Sequence, residues 1–151
     1  MSLVFLGLGT NLGNKERNLY DAILKLSLEV GALIRQSSFY ASKSWGYESS
    51  NEFLNAVVLV DTDLLPFELL AKTQQIELEL GRTAKTGSGY SDRLIDIDIL
   101  LYDNFTIDQP TLKIPHPLLV ERDFVLIPLA EIAPDLIHPV TKVRIKDLIY
   151  K

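Results

Sequence analysis

At 151 residues, 47% of them hydrophobic, the chain has the size of one domain and enough apolar material for a core of its own. Lys and Arg number 15 against 20 Asp and Glu, a net charge of −5, which disfavours broad electrostatic attraction to nucleic acid or to an anionic membrane. The absence of cysteine excludes disulfides, thiolate metal ligands and a cysteine nucleophile. No apolar run approaches the ~20 residues of a membrane span, and the opening Met-Ser-Leu-Val-Phe lacks a basic segment followed by a signal-length apolar one. A soluble, cytoplasmic protein without nucleic-acid or membrane partners is expected.

In chain order, Leu3 to Leu8 reads as a short apolar strand, followed by the turn Gly9-Thr10-Asn11-Leu12-Gly13-Asn14, whose last residue is a good helix N-cap. The turn lacks the Lys-Ser/Thr of a phosphate-binding Walker loop and the glycine spacing of a dinucleotide fingerprint. A helix from Lys15 to about Glu29 follows from Leu19, Ile23, Leu26 and Val30 at helical spacing, with Gly31 as its stop. Leu33 to Tyr40 reads as a second strand, Ala41 to Asn51 as a long loop, and Phe53 to Thr62 as a third strand. Pro66 suits the first turn of a second helix with the stripe Leu69, Leu70, Thr73, Ile76 and Leu80, ending at Gly81. Thr83 to Asp92 is a second loop, rich in small and polar residues, and Leu94 to Tyr102 is a fourth strand. The order β-α-β-β-α-β predicts an α+β sandwich of a mostly antiparallel sheet with helices packed on it. The remainder is a proline-punctuated C-terminal extension with a short helical stretch near Asp123 to Ile132. One domain, residues 1–151, is expected.

The fourth strand carries the strongest chemical signal. In Arg93-Leu94-Ile95-Asp96-Ile97-Asp98-Ile99-Leu100-Leu101-Tyr102, Asp96 and Asp98 share one strand face while Ile95, Ile97 and Ile99 take the other. Two neighbouring carboxylates repel unless a cation lies between them, which suits one or two hard divalent ions such as magnesium. The pattern alone equally suits a half-exposed strand with solvated aspartates. Arg82, Lys85, Arg93, Lys113 and Arg122, with His116 among them, flank the strand and are the side-chain types that surround a magnesium-bound phosphate chain.

Further motifs lie along the chain in order: Gly-Thr-Asn-Leu-Gly-Asn from Gly9, Ser38-Phe39-Tyr40, Phe-Leu-Asn-Ala-Val-Val from Phe53, Gln74 through Glu77 to Gly81-Arg82, the Asp96-Ile97-Asp98 strand, Ile-Pro-His-Pro around His116, and Arg122-Asp123-Phe124 with the apolar run behind it. Together they resemble 6-hydroxymethyl-7,8-dihydropterin pyrophosphokinase of folate biosynthesis, over almost the whole chain. The resemblance implies a ferredoxin-like fold and an ATP-dependent transferase that moves the terminal pyrophosphate of ATP to the pterin hydroxymethyl group and releases AMP; a monomer is expected rather than an oligomer. It implies two Mg2+ ions on Asp96 and Asp98, with Arg82 and Arg93 joining those aspartates as catalytic residues. ATP would be met by Gln74, Glu77, Arg82, Lys85, Tyr90, Arg93, Ile99, His116 and Arg122. The pterin would be met by Ser42, Lys43, Trp45, Phe53, Asn55, Asp96 and Phe124, with the two phenylalanines sandwiching the ring and Asn55 reading its edge. The loops Lys43 to Asn51 and Thr83 to Asp92 would close over both substrates. Ala84, in place of a second arginine, and Tyr90, in place of a loop tryptophan, depart from the family pattern. Other readings at this point are a palm-like nucleotidyltransferase, which also pairs aspartates around two metals, and a non-catalytic ferredoxin-like regulatory or RNA-binding module.

Overall fold

The computed structural model describes residues 1–43, 52–81 and 94–149. Its central sheet is antiparallel: β1 (Ser2–Thr10), β2 (Gly31–Gln36), β4 (Phe53–Thr62) and β5 (Asp96–Tyr102) lie in the order β2-β4-β1-β5, with β3 (Tyr40–Ser42) also paired to β4. Helix α1 (Lys15–Glu29) connects β1 to β2, and α2 (Pro66–Glu79) connects β4 to β5. Each of these β-α-β units is split by one strand of the other, which agrees with the ferredoxin-like expectation.

Local chemistry sets the boundaries. Asn14 caps α1 by accepting a hydrogen bond from the Arg17 N–H at 3.1 Å. At the start of α2, Pro66 needs no N–H partner, and Glu68 reaches back to accept from the Leu65 N–H at 2.8 Å. Gly31 does more than end α1: it opens β2, and a Cβ there would lie 2.0 Å from the Asp61 carbonyl oxygen, so only glycine lets β2 lie against β4. The expected strand from Leu33 to Tyr40 is two strands: at Ser37 the main-chain N–H still donates to the Val57 carbonyl at 2.9 Å, but the return bond goes to the side chain. Its hydroxyl accepts from the Val57 N–H at 2.9 Å, and Ser38 turns to the Glu131 carboxylate.

The sheet alternation sends Val4, Leu6, Leu8, Ala56, Val58, Val60, Ile97 and Ile99 to one face, where they pack with Leu19, Ile23 and Leu26 of α1 and Leu69 and Ile76 of α2. The other face is covered over part of its length only. Phe5, Val57, Leu59, Leu100 and Leu101 are buried beneath Val125, Leu126, Leu129 and Ile132 of α3 (Asp123–Ile132) and Ile145 and Leu148 of α4 (Ile145–Ile149). The C-terminal extension is therefore a third layer, reached through the hairpin β6 (Ile107–Gln109) and β7 (Leu112–Ile114), neither of which the sequence pattern revealed. Among the described residues, no helix is long and apolar enough to cross a membrane.

Candidate active site

The candidate side chains of the sheet lie on the face that α3 and α4 cover only in part. Strand register fixes their arrangement. Gly9 pairs with Asn55 of β4 on one side and with Asp96 of β5 on the other, and Gly7 pairs with Val57 and Asp98. Cross-strand partners in an antiparallel sheet point to the same face. Asn55 and Asp96 therefore look out from the same face on either side of a glycine, two strand spacings or roughly 10 Å apart. The floor between them has no side chain. A Cβ on Gly9 would lie 3.2 Å from Asn55 Oδ1 and 3.6 Å from Phe53 Cδ1, so the amide oxygen and the Phe53 ring both border that gap.

Asn55 is buried, and both hydrogens of its amide are used: Nδ2 donates to the Tyr40 carbonyl at 2.9 Å and to Ser42 Oγ at 2.8 Å. The atom on the Gly9 side is thus a hydrogen-bond acceptor, held by two anchors from β3. Ser42, expected to line the pterin pocket, acts on it through Asn55. Lys43 is exposed at the end of β3, and Phe53 is half-buried at the start of β4. An open cleft of about 410 Å³ continues the site past Phe53, between the beginnings of α1 and β4.

Asp96 and Asp98 alternate with buried Ile97 and Ile99 and are themselves partly exposed, as the strand pattern predicts. Arg122 precedes α3 and is buried, with one guanidinium nitrogen 3.9 Å from Asp98 Oδ2 and the guanidinium 5.5 Å from the centre of the Phe124 ring. One arginine therefore lies beside both the Asp98 carboxylate and the Phe124 ring. His116 is partly buried beside β5, where its main-chain N–H donates to the Leu100 carbonyl at 2.9 Å. Burial pushes its imidazole down to about 4; the charge of Arg122 acts in the same direction and Asp96 opposes it. Its Nδ1 accepts from the Leu118 N–H at 3.1 Å, which leaves the proton of the neutral ring on Nε2. At neutral pH His116 is a neutral hydrogen-bond donor and adds no positive charge.

On α2, Gln74 is exposed and Glu77 is buried, and Glu77 Oε2 accepts from the Ile97 N–H at 2.7 Å. The Ile99 side chain is in the core, so only its main chain is available to a ligand. Trp45, Arg82, Lys85, Tyr90 and Arg93, with all of residues 44–51 and 82–93, on which the two expected closing loops fall, lie outside the described residues. Among the described residues, no group of three or more His, Cys, Asp or Glu comes together as a metal cage. Two carboxylates on an open face are instead a partial ligand set. Magnesium is commonly bound in this way, keeping waters and taking its other oxygens from substrate phosphates.

Residues 5–134 match the model of the 7,8-dihydro-6-hydroxymethylpterin-pyrophosphokinase (HPPK) family. The chain belongs to that family. A relative from Porphyromonas gingivalis, named 2-amino-4-hydroxy-6-hydroxymethyldihydropteridine pyrophosphokinase, is 48% identical over 141 residues, covering 92% of this chain and 95% of the relative. A relative of the same name from Aquifex aeolicus is 44% identical over 147 residues, covering 97% of this chain and 90% of the relative. In fold, the chain is similar to the crystal structure of wild-type Plasmodium falciparum HPPK-DHPS with pteroate. The TM-score is 0.80 at 17% sequence identity, over 99% of this chain and 44% of that one. Family membership removes the regulatory-module and nucleotidyltransferase readings.

Proposed function

We propose that this HPPK transfers the β,γ-pyrophosphoryl group of ATP to the hydroxymethyl oxygen of 6-hydroxymethyl-7,8-dihydropterin in folate biosynthesis. The observation that carries the reading is the row itself: a fixed acceptor at Asn55, a side-chain-free strip at Gly9 and a carboxylate pair at Asp96 and Asp98. A flat, donor-rich ring laid over Gly9 with its amino edge at Asn55 Oδ1 points its one-carbon arm toward the aspartates. Phe53 borders that strip, and Phe124, placed by Arg122 at the start of α3, is the candidate for the ring's other face.

Asp96 and Asp98 would hold two magnesium ions, whose chemistry is to neutralise the phosphate oxygens and acidify the substrate hydroxyl. The protein's own part is positioning. Asp98 and Arg122 put opposite charges side by side where the phosphate chain must pass. His116 offers its Nε2 proton to a phosphate oxygen without adding a charge. Arg82, Lys85, Arg93 and Tyr90 are the proposed phosphate contacts from the segment preceding β5; Gln74 and the Ile99 main chain are the proposed contacts of the nucleoside. Lys43 and Trp45 are proposed at the pterin rim. In the transfer, the hydroxymethyl oxygen bonds to the β-phosphorus as the bond from that phosphorus to the α,β-bridging oxygen breaks. AMP takes the electron pair, and the hydroxyl proton passes to solvent.

Incubating the protein with ATP, Mg2+ and the pterin should produce AMP and the pterin diphosphate in equal amounts. Formation of ADP, or of AMP with free pyrophosphate and unaltered pterin, would refute the assignment.

A further inference from the structure

The contact between Glu77 and the backbone of Ile97 meets the proposed metal-binding strand at its outer edge, one residue after Asp96. Among the described residues β5 is an edge strand, paired in the sheet with β1, and it begins at Asp96. In an antiparallel ladder, alternate residues turn their N–H and C=O groups toward the partner strand and away from it. The Ile97 N–H turns away from β1 and donates to Glu77 Oε2 at 2.7 Å. The alternation then gives Asp96 and Asp98, paired with Gly9 and Gly7, the inward-facing positions. The two aspartates are tied to β1 by the ladder, and the peptide between them is tied to α2 by a buried carboxylate.

We propose that Glu77 is a positioning residue: by holding the Ile97 N–H it fixes the peptide between Asp96 and Asp98, and so holds both carboxylates at one spacing and on one face. This rests on the assignment of Asp96 and Asp98 as metal ligands. The need arises from place. Asp96 begins the strand and its pair with Gly9 is the last of the ladder with β1, while the main-chain bond from His116 to the Leu100 carbonyl on the outer edge of β5 lies three residues beyond Ile97. Without an acceptor behind Ile97, rotation of that peptide would swing the two side chains by different amounts. A pair of ligands that must close on small, geometrically demanding ions loses affinity from such looseness.

The acceptor and the charge of Glu77 can be separated by two conservative variants. Glu77→Gln keeps an oxygen at the end of the side chain and removes the charge; Glu77→Asp keeps the charge and withdraws the oxygen by one methylene from a 2.7 Å contact. Three quantities are measured on the full-length protein: exchange of the Ile97 amide by NMR, Mn2+ binding by paramagnetic resonance with a non-hydrolysable ATP analogue present, and binding of that analogue in EDTA. For Glu77→Asp, Ile97 exchange should rise at least tenfold and Mn2+ affinity should fall about tenfold, with analogue binding in EDTA unchanged. Glu77→Gln should stay within about threefold of the unsubstituted protein in all three. Several outcomes overturn the proposal: unaltered Mn2+ affinity in Glu77→Asp, a loss in Glu77→Gln equal to that in Glu77→Asp, or an equal loss of analogue affinity in EDTA, which would place Glu77 against the nucleotide. Failure of the unsubstituted protein to bind Mn2+ with the analogue would instead overturn the metal assignment, and the positioning role with it.

Discussion

Replacing Gly9 with alanine tests the geometry of the proposed pterin site at its least conspicuous member. The new methyl would lie 3.2 Å from Asn55 Oδ1 and 3.6 Å from Phe53 Cδ1, on the strip where the ring is proposed to lie. Gly9 is strand backbone without a positive φ, so alanine meets no conformational penalty, and reduced freedom of the unfolded chain offsets part of the close contact by about 0.4–1 kcal/mol. The folded protein should hold its thermal midpoint to within a few degrees. The ligand cannot adapt so easily, because a rigid ring must either rise off the floor or lose its bond to Asn55. Overpacking of a fitted space costs about 1–3 kcal/mol, which corresponds to a Kd for the pterin raised roughly 5- to 150-fold. Calorimetric titration with the pterin and, separately, with an ATP analogue is the assay, and the analogue should bind as before. Gly7→Ala is the control, since its methyl would meet only the Leu100 side chain, at 3.3–3.5 Å, and should cost stability without singling out the pterin. Unchanged pterin affinity in a folded Gly9→Ala protein would refute the flat-floor argument.

Asp96→Asn or Asp98→Asn should lower turnover at least 100-fold at saturating Mg2+ while the fold persists, because one charge is lost and no core volume; near-normal turnover would rule out the metal assignment. Phe124→Ala should weaken pterin binding by about 1–3 kcal/mol through lost stacking, with a smaller effect on ATP of about 0.5–1 kcal/mol from the loosened Arg122; titration of each ligand separates the two. Protonating His116 should destabilise the fold. Its value is about 4 in the protein and 6.5 in the unfolded chain, so its contribution is complete above pH 6.5 and is lost as pH falls toward 4. Solvent access to this partly buried ring reduces the contribution to on the order of 1–2 kcal/mol. His138, lowered by its own burial, titrates in the same direction, so the measurement is the difference in thermal midpoint between the unsubstituted protein and His116→Asn, followed from pH 7 to pH 4. That difference should change over this range, and a constant difference would contradict the argument.

Much of this arrangement is legible in sequence because it depends on local periodicity. Helix α1 has the expected bounds, its apolar stripe is buried, and Asn14 caps it as its type suggests. The alternation of Asp96 and Asp98 with isoleucine gives their common face directly. What sequence reading missed depends on register. Nothing in Gly7-Leu8-Gly9 announces that its two glycines lie opposite Asp98 and Asp96 and leave a bare strip toward Asn55, so the segment reads as a strand running into a turn. Ser37 looks like an ordinary strand residue until its hydroxyl is seen to replace a ladder bond to Val57. Glu77 reads as a charged residue on a helix, and only the packing of α2 against the edge of β5 shows that its carboxylate is buried on the Ile97 N–H.

The topology explains why these groups meet where they do. Splitting each β-α-β unit places β1 at the centre, with the strand bearing Asn55 on one side and the strand bearing the aspartates on the other. Both helices that make the crossovers go to one face, so the second face depends on the C-terminal segment for cover. That segment covers only the end carrying Phe5, Leu59 and Leu101, and its helix α3 starts beside the open end, which brings Arg122 and Phe124 to the rim. A chain with a net charge of −5 can thereby offer a phosphate chain a cation held 3.9 Å from a carboxylate on the site floor. The charge that counts for recognition is local, and a buried arginine beside the proposed metal-ligand pair is more strongly coupled to it than the screened surface charges that make up the global balance.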